Sequence, residues 1–127
     1  MTEVDSRKEK GMAGENIACH YLISHGYELV ARNFRTRCGE IDIVARKEGI
    51  ICFVEVRTLR FSRHYFPSDT VTYKKQRKLS LMAGLFLEKY YPCEMKDARF
   101  DVIAIQLIGK TFRLEHFIDA FPMRITA

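Results

Sequence analysis

Apolar residues along the chain recur at two spacings, and each spacing predicts a different kind of element. Ala13, Ile17, Ala18, Tyr21 and Leu22 fall on one side of a helical wheel, so the first element is a helix that stops at His25-Gly26. Three runs over 27–34, 40–46 and 50–57 are rich in β-branched and aromatic residues and are separated by short polar or glycine-containing joints. They predict an antiparallel meander. The stretch after Arg57 through Asp69 is polar, aromatic and irregular, and reads as a loop over a site. Leu79, Met82, Ala83, Phe86, Leu87 and Tyr90 return to helical spacing, predicting a second helix from Thr70-Val71 to about Tyr90 that Pro92 ends. Two further strands, over 99–107 and 111–117, are joined at Ile108-Gly109-Lys110.

A chain of 127 residues, 47% hydrophobic, builds one core and not two. We place the domain at residues 11–121, between a charged N-terminal tail (1–10) and a C-terminal tail (122–127). The first residues lack the apolar core of a signal peptide, and no later stretch approaches the ~18 apolar residues of a membrane span. A cytoplasmic protein is expected. Cys19, Cys38, Cys52 and Cys93 are isolated and have no zinc-binding spacing, so they are read as reduced, mostly buried thiols.

Within the second strand, period-two alternation sets Glu40, Asp42 and Val44 on one face and Ile41, Ile43 and Ala45 on the other. In the third, Phe53, Glu55 and Arg57 share a face, which embeds Glu55 in an otherwise apolar Cys-Phe-Val-Glu-Val run. A buried acid needs a partner. If Glu48-Gly49 are the two central residues of the turn, Lys47 pairs with Ile50, and counting back sets Asp42 opposite Glu55, with Cβ atoms ~4.5–5.5 Å apart. Two carboxylates that close repel each other unless a proton or a cation lies between them. A hard divalent ion such as Mg²⁺ or Mn²⁺ is one answer. Neutralisation by Arg35, Arg46 or Arg57 is the other. Glu15 lies about 20° beyond Leu22 on the first helix, at the edge of its apolar arc, where it either faces a cleft or is solvated near the helix N-terminus.

Charge narrows the partners. Lys and Arg number 21 against 16 Asp and Glu, for a formal charge of +5. Four of the basic residues crowd one turn, Lys74, Lys75, Arg77 and Lys78, enough to grip several phosphates or to form a solvated face. Lys75 is four residues before Leu79, on the stripe that otherwise faces the core, and so points toward the sheet.

In order along the chain, Gly14-Glu15, Arg32-Asn33-Phe34-Arg35, Gly39-Glu40-Ile41-Asp42, Phe53-Val54-Glu55-Val56-Arg57, Lys75-Gln76-Arg77, Arg99-Phe100-Asp101-Val102 and His116-Phe117-Ile118-Asp119-Ala120-Phe121 resemble the YraN family of endonuclease-like proteins. The resemblance implies a restriction-endonuclease-like α/β fold, a mixed central β-sheet flanked by helices, similar in layout to archaeal Holliday-junction resolvases. It implies a metal site of Glu15, Asp42 and Glu55 and a DNA substrate, possibly branched. A homodimer follows only from the likeness to resolvases. Arg57 stands where the motif's usual residue is Lys. An Arg cannot be deprotonated to act as a base, though it holds phosphate. Two functions are carried forward: a Mg²⁺- or Mn²⁺-dependent endonuclease, in which Glu15, Asp42, Glu55, Arg57 and Lys75 are catalytic and Lys74, Lys75, Arg77 and Lys78 bind nucleic acid, and a nucleic-acid-binding module of the same fold without chemistry. A two-carboxylate hydrolase of small substrates fits the acids but leaves the basic turn unexplained.

Overall fold

A computed structural model describes residues 3–59, 71–94 and 96–124, with side chains from Ala13 onward except Leu59. The predicted loop over a site, beyond Leu59, lies outside the described residues. The elements run α1 (Glu3–Ser24), β1 (Glu28–Thr36), β2 (Gly39–Lys47), β3 (Ile50–Leu59), α2 (Tyr73–Tyr90), β4 (Asp97–Ile108) and β5 (Thr111–Phe121). Helix α1 begins at Glu3, ahead of the apolar positions that marked it in the sequence. Thr72 caps α2 by accepting from the Lys75 N–H, so the helix begins at Tyr73 and not at the Thr70-Val71 start expected from apolar spacing.

The strands form one sheet in the order β1-β2-β3-β4-β5. The first three are the antiparallel meander expected, β3 and β4 are parallel, and β5 returns antiparallel. The sheet is therefore mixed. Each inner strand feeds two clusters of buried side chains, one on each face of the sheet, where a single core was expected. Phe53, Ile51 and Val44 pack with Leu79, Met82, Ala83 and Phe86 of α2, whereas Cys52, Val54, Ile43 and Ala45 pack with Ala18 and Leu22 of α1. The helices thus cover opposite faces. Residues Phe100 to Ile105 of β4 are all buried, as a central strand covered on both faces requires.

Helix α1 lies very close to the sheet at Gly14, where a Cβ would run into Thr58 Oγ1 of β3. That approach carries the next residue, Glu15, up to the end of β3. The four cysteines are unpaired; Cys19 and Cys52 are buried, but Cys38 and Cys93 are exposed, against the expectation of mostly buried thiols.

Candidate metal centre and basic face

The β2–β3 hairpin turns on Glu48 (φ 52) and Gly49 (φ 79), two successive left-handed residues, as a two-residue type I′ turn requires. The register follows as counted from sequence: Lys47 pairs with Ile50, and pairing continues to Ile43 and Val54. One more step sets Asp42 across from Glu55. There the ladder stops, and the Val56 N–H donates to Asp42 Oδ2 at 2.8 Å.

The other neighbour of β2 is interrupted at the same level. Arg32 pairs with Ile43 and Phe34 with Ile41, but Asn33 and Asp42 between them do not pair, and Asn33 is left-handed (φ 53). Beyond this point the faces exchange. Ile43 and Ala45 lie in the α1 core, while Ile41, two residues before Ile43, lies in the α2 core beside Val44. This corrects the simple alternation expected for β2, which had put Ile41 with Ile43. A half turn at Asn33 and Asp42 accounts for it, and it leaves Asp42 in an opening between strands.

Acids from three elements meet at that opening. Carboxylate oxygens of Glu15 (α1), Glu40 and Asp42 (β2) lie within 4.8 Å of one another. Glu55 of β3, only 6% exposed, is held by Lys75 Nζ of α2 at 2.6 Å and approached by Arg57 at 3.8 Å. Lys75 thus does point inward, as its place on the stripe implied. Of the three residues expected to share an ion, Glu15 and Asp42 lie together and Glu55 bears on Asp42 across the gap; Glu40, set on the face of Asp42 by alternation and given no part in the ion site, belongs to the cluster itself.

The arginines considered as neutralising partners are distributed elsewhere. Arg35 donates to Glu40 at 2.9 Å and Arg46 to Glu28 at 2.6 Å, leaving Arg57 as the one near Glu55. Asp42's recorded hydrogen bond is to a backbone N–H, and no cation is among the groups that most shift its titration. Burial, followed by the negative charge of Glu55, pushes the Asp42 carboxyl up to about 7, against the pull of the Val56 N–H. Burial also raises Glu15, with Glu40 and Glu55 adding to the rise and Arg32 and Arg35 opposing it.

On the outer face of α2, Lys74, Arg77 and Lys78 are exposed, next to Tyr73, whose ring carries the Arg124 guanidinium at 5.0 Å. Arg124 is itself fixed by Gln76 Oε1 and Ser80 Oγ.

A second polar group escaped sequence reasoning. Asp101 of β4 is fully buried and accepts hydrogen bonds from Arg99 Nε (3.0 Å) and the Asp119 N–H (3.0 Å), and it contacts His116 Nε2 at 2.8 Å. Tyr21 of α1 contacts the other ring nitrogen of His116, and Arg99 donates to Tyr27. Burial works to raise Asp101, but these hydrogen bonds outweigh it and hold the carboxyl below its usual value. The group braces α1, β4 and β5. Its members stood in two separate motifs of the sequence, with Arg99 two residues from Asp101 but His116 and Asp119 15 and 18 residues away, so spacing did not join them.

Residues 14–105 match the model of the Uncharacterised protein family UPF0102. The chain is similar to UPF0102 proteins of Geobacter metallireducens (46% identical over 117 residues, 91% of this chain and 94% of the relative) and Chlorobium phaeobacteroides (42% over 118 residues, 87% and 91%). It is likewise similar to one from Caldicellulosiruptor bescii (42% over 103 residues, 81% and 87%). Among the described residues, no helix is long and apolar enough to cross a membrane.

Proposed function

We propose, for a chain that belongs to the UPF0102 family, a divalent-metal-dependent endonuclease of restriction-endonuclease-like fold that hydrolyses phosphodiesters of DNA, possibly branched DNA, in the cytosol. The observation that carries the reading is Asp42. It stands where the pairing of the sheet is interrupted, makes no ion pair among the described residues, and has Glu15, Glu40 and Glu55 around it.

Such a group of carboxylate oxygens suits a hard cation, Mg²⁺ or Mn²⁺, and suits a soft one poorly. Asp42 is the central ligand, with Glu55 across the strand gap and Glu15 and Glu40 on the α1 side. When bound, the ion supplies Lewis-acid polarisation of a phosphate and a water of lowered pKa. The chain's own residues do the rest. Lys75 and Arg57, gathered on Glu55, put positive charge beside the acids where a phosphate becomes more negative. Lys74, Arg77 and Lys78 hold flanking phosphates and fix the register of the duplex. Cleavage of both strands needs two such centres, so a homodimer goes with this reading.

Arg57 favours a second reading. With no Lys at that position and with Lys75 engaged by Glu55, the same surface serves as a nucleic-acid-binding module without chemistry. Calorimetric titration of Mn²⁺ into the wild type and Asp42→Asn, paired with cleavage of linear and four-way DNA, separates the two. The nuclease reading expects metal binding and cutting by the wild type, both lost in the variant. DNA binding with neither metal uptake nor cutting would leave the binding module.

A further inference from the structure

From the geometry at the break in β2 we infer that Asn33 is the positioning residue of the acidic centre, holding Glu15 and Glu40 in place for the cation; the inference rests on the metal reading above. Two independent properties of Asn33 meet there. Its backbone is left-handed (φ 53), a conformation that Asn tolerates better than most side-chain-bearing residues. That conformation coincides with the missing Asn33–Asp42 pair and with the exchange of faces between Ile41 and Ile43. Its side chain lies between two carboxylates. With the amide nitrogen turned toward them, the orientation that matches donors to acceptors, Asn33 donates to Glu40 Oε1 at 2.7 Å and to Glu15 Oε1 at 3.0 Å.

The amide therefore does for two acids what a cation does for all of them: it supplies positive hydrogens between negative oxygens. It is neutral, so it sets their positions without cancelling their charge. Asn33 takes one oxygen of each carboxylate, which leaves Oε2 of Glu15 for a metal, whereas Oε2 of Glu40 also accepts from Arg35 and offers only its second lone pair. A group that orients metal ligands in this way typically contributes ~10–100-fold to metal affinity. Asn33 itself is not a ligand in this scheme, because an amide nitrogen has no lone pair available for a metal.

Asn33→Gly separates the two properties, since glycine accepts φ 53 and removes the amide. Mn²⁺ affinity of the folded variant is expected to fall about 10–100-fold. A thermal-unfolding cycle on metal-free protein at pH 8 compares Asn33→Gly in the wild type with the same change in a Glu15→Ala/Glu40→Ala background. The entropic cost of glycine appears in both and cancels. The melting-temperature drop should be clearly larger where the acids are present. Coupling in this cycle together with weakened Mn²⁺ binding supports the inference. Coupling with no Mn²⁺ binding by the wild type supports Asn33 as the residue that gathers the acids and overturns the metal reading. A cycle without coupling, or wild-type Mn²⁺ affinity in Asn33→Gly, overturns the role assigned to Asn33.

Discussion

At the scale of single residues, two carboxylates of the same protein respond to pH with opposite signs. Asp42 is raised from 3.8 to about 7, chiefly by burial and then by Glu55, so the folded chain binds this proton more tightly than the unfolded chain does. Below pH ~4 both states hold it and the group costs nothing. Between there and about 7 the unfolded chain releases its proton first, and stability falls as pH rises. Asp42→Asn keeps an acceptor for the Val56 N–H and abolishes the titration. At pH 8 without metal, the variant should be more stable than the wild type by roughly 1–3 kcal/mol, a gap that closes toward pH 4. Denaturant melts at the two pH values check it; an unstabilised Asp42→Asn at pH 8 would mean that Asp42 ionises at little cost. Adding Mn²⁺ at pH 8 should stabilise the wild type and leave the variant unmoved. Asp101 runs the other way. Hydrogen bonds from His116, Asp119 and Arg99 overcome the effect of burial and lower its titration, so its contribution is present above the ordinary carboxylate range and is lost as pH falls through the depressed value. Asp101→Ala leaves the Arg99 guanidinium and the Asp119 N–H without their acceptor, and should cost about 3–5 kcal/mol at pH 7 by chemical denaturation. A loss under ~1 kcal/mol would remove Asp101 from the brace.

At the scale of elements, the site depends on how close α1 comes to β3. Gly14 lets the helix reach Thr58, and Glu15 follows it to the acidic cluster. Gly14→Ala has two opposed effects: alanine favours the helix by ~1 kcal/mol, and its methyl collides with Thr58 Oγ1 at a cost of about 1–3 kcal/mol. Gly14→Ala should therefore destabilise the wild type but stabilise a Thr58→Ala protein, where the collision partner is gone. The sign of the two changes in melting temperature is the test; loss in both backgrounds would place the obstacle elsewhere. The same scale shows what could be read in advance. Helical spacing marked both helices, and the two-residue Glu48-Gly49 turn fixed the β2–β3 register, so Asp42 could be set against Glu55 by counting. Counting failed at Asn33, because one left-handed residue reverses the faces beyond it and leaves no trace in apolar spacing. Thus Ile41 was set on one face with Ile43, although the two lie in opposite clusters. The parallel pairing of β3 with β4 and the extension of β5 past a bulge at left-handed Asp119 are also non-local, set by partners and not by propensity.

At the scale of the whole molecule, the charge has a shape. Of the net +5, most sits on α2, which carries five basic residues against one acid. Lys75 turns inward to Glu55, while Lys74, Arg77 and Lys78 remain on the surface and no ion pair of theirs is recorded among the described residues. An acidic centre repels a polyanion, so the nuclease proposed above needs nearby cations to bring the phosphates in, and on that proposal they come from the same N-terminal turn that bears Lys75. If the three surface residues each neutralise a phosphate, their release of counterions should contribute about −2.7 to the slope of log K against log[salt]. Lys74→Gln/Arg77→Gln/Lys78→Gln should then weaken DNA binding and flatten that slope by a similar amount, whatever the DNA sequence. Metal is irrelevant to this term, so the measurement is made in chelator, where Asp42→Asn should bind DNA as well as the wild type or better. An unchanged slope would make the basic turn a solvated face. A flattened slope with cleavage retained at low salt would show that binding and chemistry reside on separate residues of one surface, as the division between outward Lys74, Arg77 and Lys78 and inward Lys75 requires.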